Sequence, residues 1–104
     1  MIIKDKTFFS APPRFQLVPS NETVEESKTS TFLCSTSTPD TKITWYKDGK
    51  VLTGSHFAVL ASGSLLILRV YREDKGWYVC NATNKAGTKL ARAYLKVLRP
   101  LDSG

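Results

Sequence analysis

Asp74-Lys75-Gly76-Trp77-Tyr78-Val79-Cys80 is the stretch on which the reading of this chain turns. Asp74 and Gly76 are turn residues. Beyond them the chain alternates, with Tyr78 and Cys80 on one face of an extended backbone and Trp77, Val79 and Asn81 on the other. That alternation predicts a β-strand with one buried face.

The flanking chain adds fixed spacings. Cys34 stands in an apolar-polar run, Trp45 follows eleven residues later, and Cys80 follows Trp45 by thirty-five. Leu65, Ile67, Val70, Asp74, Gly76, Tyr78 and Cys80 fit L-x-I-x-x-V-x-x-x-D-x-G-x-Y-x-C without a gap. A tyrosine two residues before a cysteine is the pattern of a tyrosine corner, whose phenol bonds back to upstream backbone. Together these residues resemble the immunoglobulin superfamily, most closely its I-set, over about residues 12 to 98. The resemblance implies an all-β, two-sheet antiparallel immunoglobulin-like sandwich with Greek-key connections. It implies a Cys34 to Cys80 bridge with the Trp45 indole packed on it, and hallmark roles for Leu65, Asp74, Gly76 and Tyr78. The Asp74 carboxylate would tie down the turn before the strand, beside a basic residue such as Arg72.

The 104 residues, 41% of them apolar, suffice for one domain with one core. Two cysteines allow one pairing. If it forms, closing 46 residues stabilises the fold by roughly 4 kcal/mol on the chain-entropy model, and an oxidising compartment is expected. Two buried, reduced thiols in a cytosolic relative of the same fold are the alternative.

Residues 1 to 11, with Phe8 and Phe9, carry no clear period and read as a linker or the tail of a preceding domain. Residues 12 to 98 are the domain and 99 to 104 a C-terminal linker. Within the domain the expected strands are 15–18, 23–26 with Val24 inward, 30–35 with Phe32 and Cys34 inward, and one carrying Ile43 and Trp45 inward. Lys47-Asp48-Gly49-Lys50 signals a hairpin into Val51-Leu52. Strands at 56–61 and 64–70 follow, joined by Ser62-Gly63. Asn84-Lys85-Ala86-Gly87 turns into 88–98, where Ala91, Ala93, Leu95 and Val97 face inward. Only one short strand fits between the hairpin and residue 56, which separates the I-set from a variable-type domain.

No catalytic, metal or cofactor chemistry is expected. The one histidine, His56, reads as a surface residue at a strand start, and the two cysteines are already used by the fold. No Gly-rich phosphate cradle leads into a helix. The formal charge of +6 is scattered over the chain, which reads as a solvated surface. Nucleic acid would require a basic stripe with interleaved aromatics. Tyr46, Trp77 and Tyr94 near Lys47, Lys89, Arg92 and Lys96 match that only in part, so no nucleic-acid partner is expected. The N-terminus lacks a signal-peptide pattern and no run is long enough to span a membrane. An extracellular origin therefore implies a longer parent protein with adjacent domains.

Two sequons, Asn21-Glu22-Thr23 and Asn81-Ala82-Thr83, are candidate glycosylation sites. A glycan on Asn81 would cover part of the face that carries Tyr46, Trp77, Val79, Arg92 and Tyr94 and make it a poor partner site, whereas a bare Asn81 would leave it the better one. That face has the composition of an interface core, and equally that of an aromatic ladder stabilising a sheet. A second candidate interface is Leu33, Leu66 and Leu68, which alternation turns outward on the opposite sheet. They could be covered by a neighbouring domain, a second copy, or residues 1 to 11.

The resemblance implies a non-enzymatic extracellular or cell-surface module of a membrane-anchored or secreted adhesion molecule or receptor, neuronal ones included, binding protein, homophilically or on another cell-surface protein. One alternative is an intracellular I-set scaffold module of a muscle or actin-associated protein. Another is a heparan sulfate-binding module that uses Lys89, Arg92 and Lys96.

Overall fold

In a computed structural model, described here for residues 11–100, the alternating runs become ten strands in two layers. They are β1 (Phe15–Leu17), β2 (Glu22–Glu25), β3 (Ser30–Phe32), β4 (Ser35–Thr36), β5 (Lys42–Lys47), β6 (Lys50–Val51), β7 (Phe57–Val59), β8 (Leu65–Ile67), β9 (Gly76–Asn84) and β10 (Gly87–Leu98). One layer has the order β2-β10-β9-β5-β6. The other is β3-β8-β7, extended by β1 paired with β4. The linkers expected at the two ends fall outside the described residues, except residues 11, 99 and 100.

The first strand is split as expected. β1 lies on β4 in one layer, Pro19 follows, and β2 crosses to the other layer beside β10. That crossing makes the sandwich not wholly antiparallel, because β2 runs parallel to β10, with Glu22 opposite Leu95 and Val24 opposite Val97. The expected strand over 30–35 is broken at Leu33 and Cys34. There the Cys34 amide donates to the Ser64 hydroxyl at 3.0 Å instead of continuing the ladder. The strands expected at 56–61 and 64–70 shorten to β7 and β8. Their ends are held by other backbone bonds, Leu60 N–H to the Ser64 carbonyl in the turn between them and Val70 N–H to the Lys28 carbonyl on the segment before β3.

The inward faces meet in one core. Phe32, Cys34, Trp45, Leu65, Ile67, Val70, Tyr78, Cys80, Ala93 and Leu95 are buried, with Phe15, Val24, Ile43 and Val97 packed against them. Cys34 and Cys80 are bridged. Trp45 lies stacked on Phe32, with ring centroids 6.1 Å apart, and its indole N–H donates to the Gly63 carbonyl at 2.7 Å. A buried indole needs such a partner.

Gly63 has no room for a side chain. Its φ is +109°, and an added Cβ would overlap Ile43 Cδ1 and sit 2.8 Å from the Cys34 carbonyl oxygen. Gly76, a hallmark of the pattern, has φ +138° with the Asp48 carboxylate 3.1 Å from the corresponding position. The hairpin between β5 and β6 turns through Asp48 and Gly49, both at positive φ, as a two-residue Asp-Gly loop requires.

The turn before β9 is a short 3-10 helix, Arg72–Asp74. Asp74 is buried in it and holds it from both ends of the residue. Its carboxylate accepts the Tyr71 N–H at 2.7 Å, and its carbonyl accepts the Tyr78 hydroxyl, which closes the tyrosine corner. The basic residue beside it is not Arg72, whose guanidinium lies 3.7 Å from Glu26. It is His56, with Nε2 at 3.0 and 3.1 Å from the two carboxylate oxygens. His56 is accordingly half-buried, against the expectation of a free surface position, with its ring 4.0 Å from Phe57 and 5.0 Å from Tyr71.

Burial, and secondarily the nearby Asp74 and Asp48 carboxylates, push the Tyr78 phenol well above its ordinary value. A phenol raised in the folded state contributes stability that is complete below the unfolded value of about 10 and is lost as pH rises toward the folded value. Denaturant unfolding should therefore show stability falling above pH ~10, with a smaller fall in Tyr78→Phe; an equal fall in both would contradict the assignment. Gly63→Ala should lose about 2 kcal/mol in the same measurement through backbone strain.

Candidate interface on the outer face of strands β9 and β10

Because Tyr78 and Cys80 must face the core, Trp77, Val79 and Asn81 face out. The register then decides their neighbours. Trp77 lies opposite Tyr94, and Val79 lies between Arg92 on β10 and Tyr46 on β5. All five residues of the expected cluster thus share two adjacent rows of one face.

Trp77 remains 46% exposed. The Tyr94 ring meets it edge-on, with centroids 5.2 Å apart and planes at 75°. The Arg92 guanidinium lies over it, 5.1 Å from the ring centroid. Such an exposed cation-π contact contributes about 0.5–1 kcal/mol. Its larger effect is order: the rotamer-rich Arg92 side chain is already held against the Trp77 ring, which lowers the entropic cost of meeting a partner.

The cations do not form a stripe. Arg92 and Lys96 share the outer side of β10, whereas Lys89 has the opposite parity, paired with buried Ala82. Lys47 also points away, 2.6 Å from Asp48 Oδ2 and 5.7 Å from the Tyr78 ring centroid. That hydrogen bond is the main cause holding the Asp48 carboxyl below its usual value.

On the other layer Leu33 and Leu68 are 48% and 50% exposed. Leu66 is half-buried in a row with Thr31 and Ala58. The three leucines are outward-facing as expected, but the middle one is partly covered by its own sheet. Whether Phe8 and Phe9 reach them lies outside the described residues.

Two features of the β9–β10 face had no part in the expected cluster. Leu90, 63% exposed, stands opposite Asn81; extending the alternation of β10 one step back from Ala91 would have found it. Asn21 bonds to the backbone of Tyr94, a contact across 73 residues that no local pattern signals. Among the described residues no group of three or more His, Cys, Asp or Glu side chains is arranged to hold a metal ion.

A disulfide-pinned two-layer sandwich with a split first strand, a tyrosine corner and an ordered aromatic-arginine face defines an immunoglobulin-type domain. The family model for the immunoglobulin I-set domain matches residues 13–97, and the chain belongs to that family. It is 34% identical over 96 residues to human Roundabout homolog 1, a match covering 83% of this chain and 6% of that protein. To human Hemicentin-1 it is 36% identical over 94 residues, covering 88% of this chain and 2% of that one. The chain thus spans a few per cent of the length of these relatives. A crystal structure of a mutant titin and obscurin-like 1 immunoglobulin complex superposes with a TM-score of 0.82 at 30% identity, covering 88% of this chain and 98% of that one.

The two tryptophans should separate cleanly in stability measurements. Trp45→Ala is expected to cost about 3–5 kcal/mol by emptying the core. Trp77→Ala should cost about 1 kcal/mol or less, the worth of its surface contacts. Comparable losses would show that the outer cluster is chiefly structural.

Proposed function

We propose that this chain is a non-enzymatic, extracellular recognition module of a multi-domain adhesion molecule or receptor. Trp77, Tyr94 and Arg92, with Tyr46 and Val79 beside them, contact a protein partner. The observation that carries this reading is the exposed Trp77 ring held between Tyr94 and Arg92, because preordered aromatic and arginine side chains dominate binding energy at interfaces. The Cys34–Cys80 bridge supports an oxidising compartment, and similarity to Roundabout homolog 1 and Hemicentin-1 supports the adhesion or receptor context.

The titin likeness favours a second reading, an intracellular scaffold module. It requires Cys34 and Cys80 to be reduced in the cell. A heparan sulfate role draws on Arg92 and Lys96 but loses Lys89 from the shared face.

A multimerised, secreted form of the domain, screened against arrayed cell-surface ectodomains, tests the first reading. Arg92→Glu and Trp77→Ala should each weaken the captured interaction by about tenfold or more, while Leu33→Ser and Leu68→Ser leave it intact. Binding lost only with the leucine variants would move the interface to the opposite layer. Retention on heparin that disappears with Arg92→Glu would favour the glycan instead.

A further inference from the structure

The two sequons, far apart in sequence, arrive on the same layer, and each presents the same atom. Asn21 Oδ1 accepts the Tyr94 N–H at 2.8 Å. Asn81 Oδ1 accepts the Thr83 hydroxyl at 2.8 Å, which also lies 3.0 Å from the Thr88 hydroxyl. In both, the carbonyl oxygen is used inside the fold and the amide nitrogen makes no hydrogen bond among the described residues. Asn84, the asparagine outside a sequon, differs: its Nδ2 donates to the Ala11 carbonyl at 2.9 Å. An N-glycosidic bond uses Nδ2 and leaves Oδ1 free to accept, so the folded contacts of Asn21 and Asn81 survive the modification.

Leu90 is the second observation. It is the most exposed large apolar side chain among the described residues, at 63%, and it stands directly opposite Asn81, with Thr44 on the other side. Among the described residues Ala11 and Pro12 lie beside it, and most of its surface stays open. A sugar attached to Asn81 would begin on that row, and its C–H face is an apolar surface.

We propose that Asn21 and Asn81 are N-linked glycan acceptors and that the first sugar on Asn81 lies over Leu90; this rests on the extracellular reading above. In the transfer, Nδ2 attacks the anomeric carbon of a lipid-diphosphate-linked oligosaccharide. The N–C bond forms, the C–O bond to the diphosphate breaks, the amide loses one proton, and the lipid diphosphate leaves. Transfer precedes folding, so the half-burial of Asn81 is no obstacle.

The register sets what the glycan leaves open. Val79 and Arg92 are one outward row from Asn81, about 7 Å, and Trp77 and Tyr94 are two rows away, about 13 Å. The Asn81 glycan therefore occupies the hairpin end of the face, and a protein partner is confined to the end around Trp77.

The test is secretory expression of the chain behind a cleavable leader, with glycosidase release in heavy-oxygen water, so that each occupied asparagine becomes a labelled aspartate in the peptide mass. Material retained in the cell is analysed alongside the secreted pool, since the sugar is added before export. Both sites should be labelled, Thr23→Ala should remove one label and Thr83→Ala the other, and Asn81→Gln should reproduce Thr83→Ala. Hydroxyl-radical footprinting should then show Leu90 oxidation rising about twofold when the Asn81 glycan is lost, with Trp77 unchanged. Bare asparagines in a bridged chain would overturn the proposal, as would an occupied Asn81 with unchanged Leu90 oxidation. Occupied sequons in a domain that captures no ectodomain would instead count against the recognition reading and leave the glycan assignment standing.

Discussion

The covalent tie between Cys34 and Cys80 is the constraint on which the rest of this structure depends. It joins the two layers at one point in the middle of the single core. Trp45, paired with Cys80 across β5 and β9, is buried in the same cluster, and its indole N–H must find a partner. The partner is the Gly63 carbonyl, which fixes the path of the turn between β7 and β8 and forbids any side chain there. Cys80 in turn fixes the parity of β9. From that parity follow both the tyrosine corner at one end of the strand and the outward direction of Trp77, Val79 and Asn81.

Core and surface are therefore coupled by alternation alone. No residue of the Trp77, Tyr94 and Arg92 cluster contributes to the buried core, yet none could be moved by one position without burying a charge or exposing an inward-facing residue. The outward side chains of this layer can vary in chemistry while their spacing stays set by the bridge three residues or fewer away along the strands. The family likeness fixes the sandwich; the chemistry of the outward side chains is something the sandwich only positions.

Much of this was legible in the sequence because it depends on local periods and turn chemistry. The Cys34, Trp45, Tyr78 and Cys80 framework, the Asp-Gly hairpin, the split first strand and the five residues of the outer cluster follow from alternation and from the I-set resemblance. What was not legible depends on which distant residues meet. Arg72 is the nearer basic residue in sequence, but the turn points it toward Glu26, and the start of β7 brings His56 to Asp74 instead. The break in strand 30–35 comes from a hydroxyl on Ser64, thirty residues away. The bond from Asn21 to Tyr94 exists only because β2 crosses layers. Lys89 is a different case: the alternation that turns Ala91 inward already gives it the opposite parity to Arg92 and Lys96, and the pairing with Ala82 agrees.

The crossing of β2 has a further consequence for load. β2 lies near the start of the described chain and β10 near its end, and they run parallel, with Glu26 N–H also donating to the Leu98 carbonyl. Tension applied between the two ends would pull β2 and β10 in opposite directions along their common axis. Their bridging hydrogen bonds would be sheared together instead of unzipped one at a time, so the domain resists stretching at the place where a neighbouring domain in an array would pull on it.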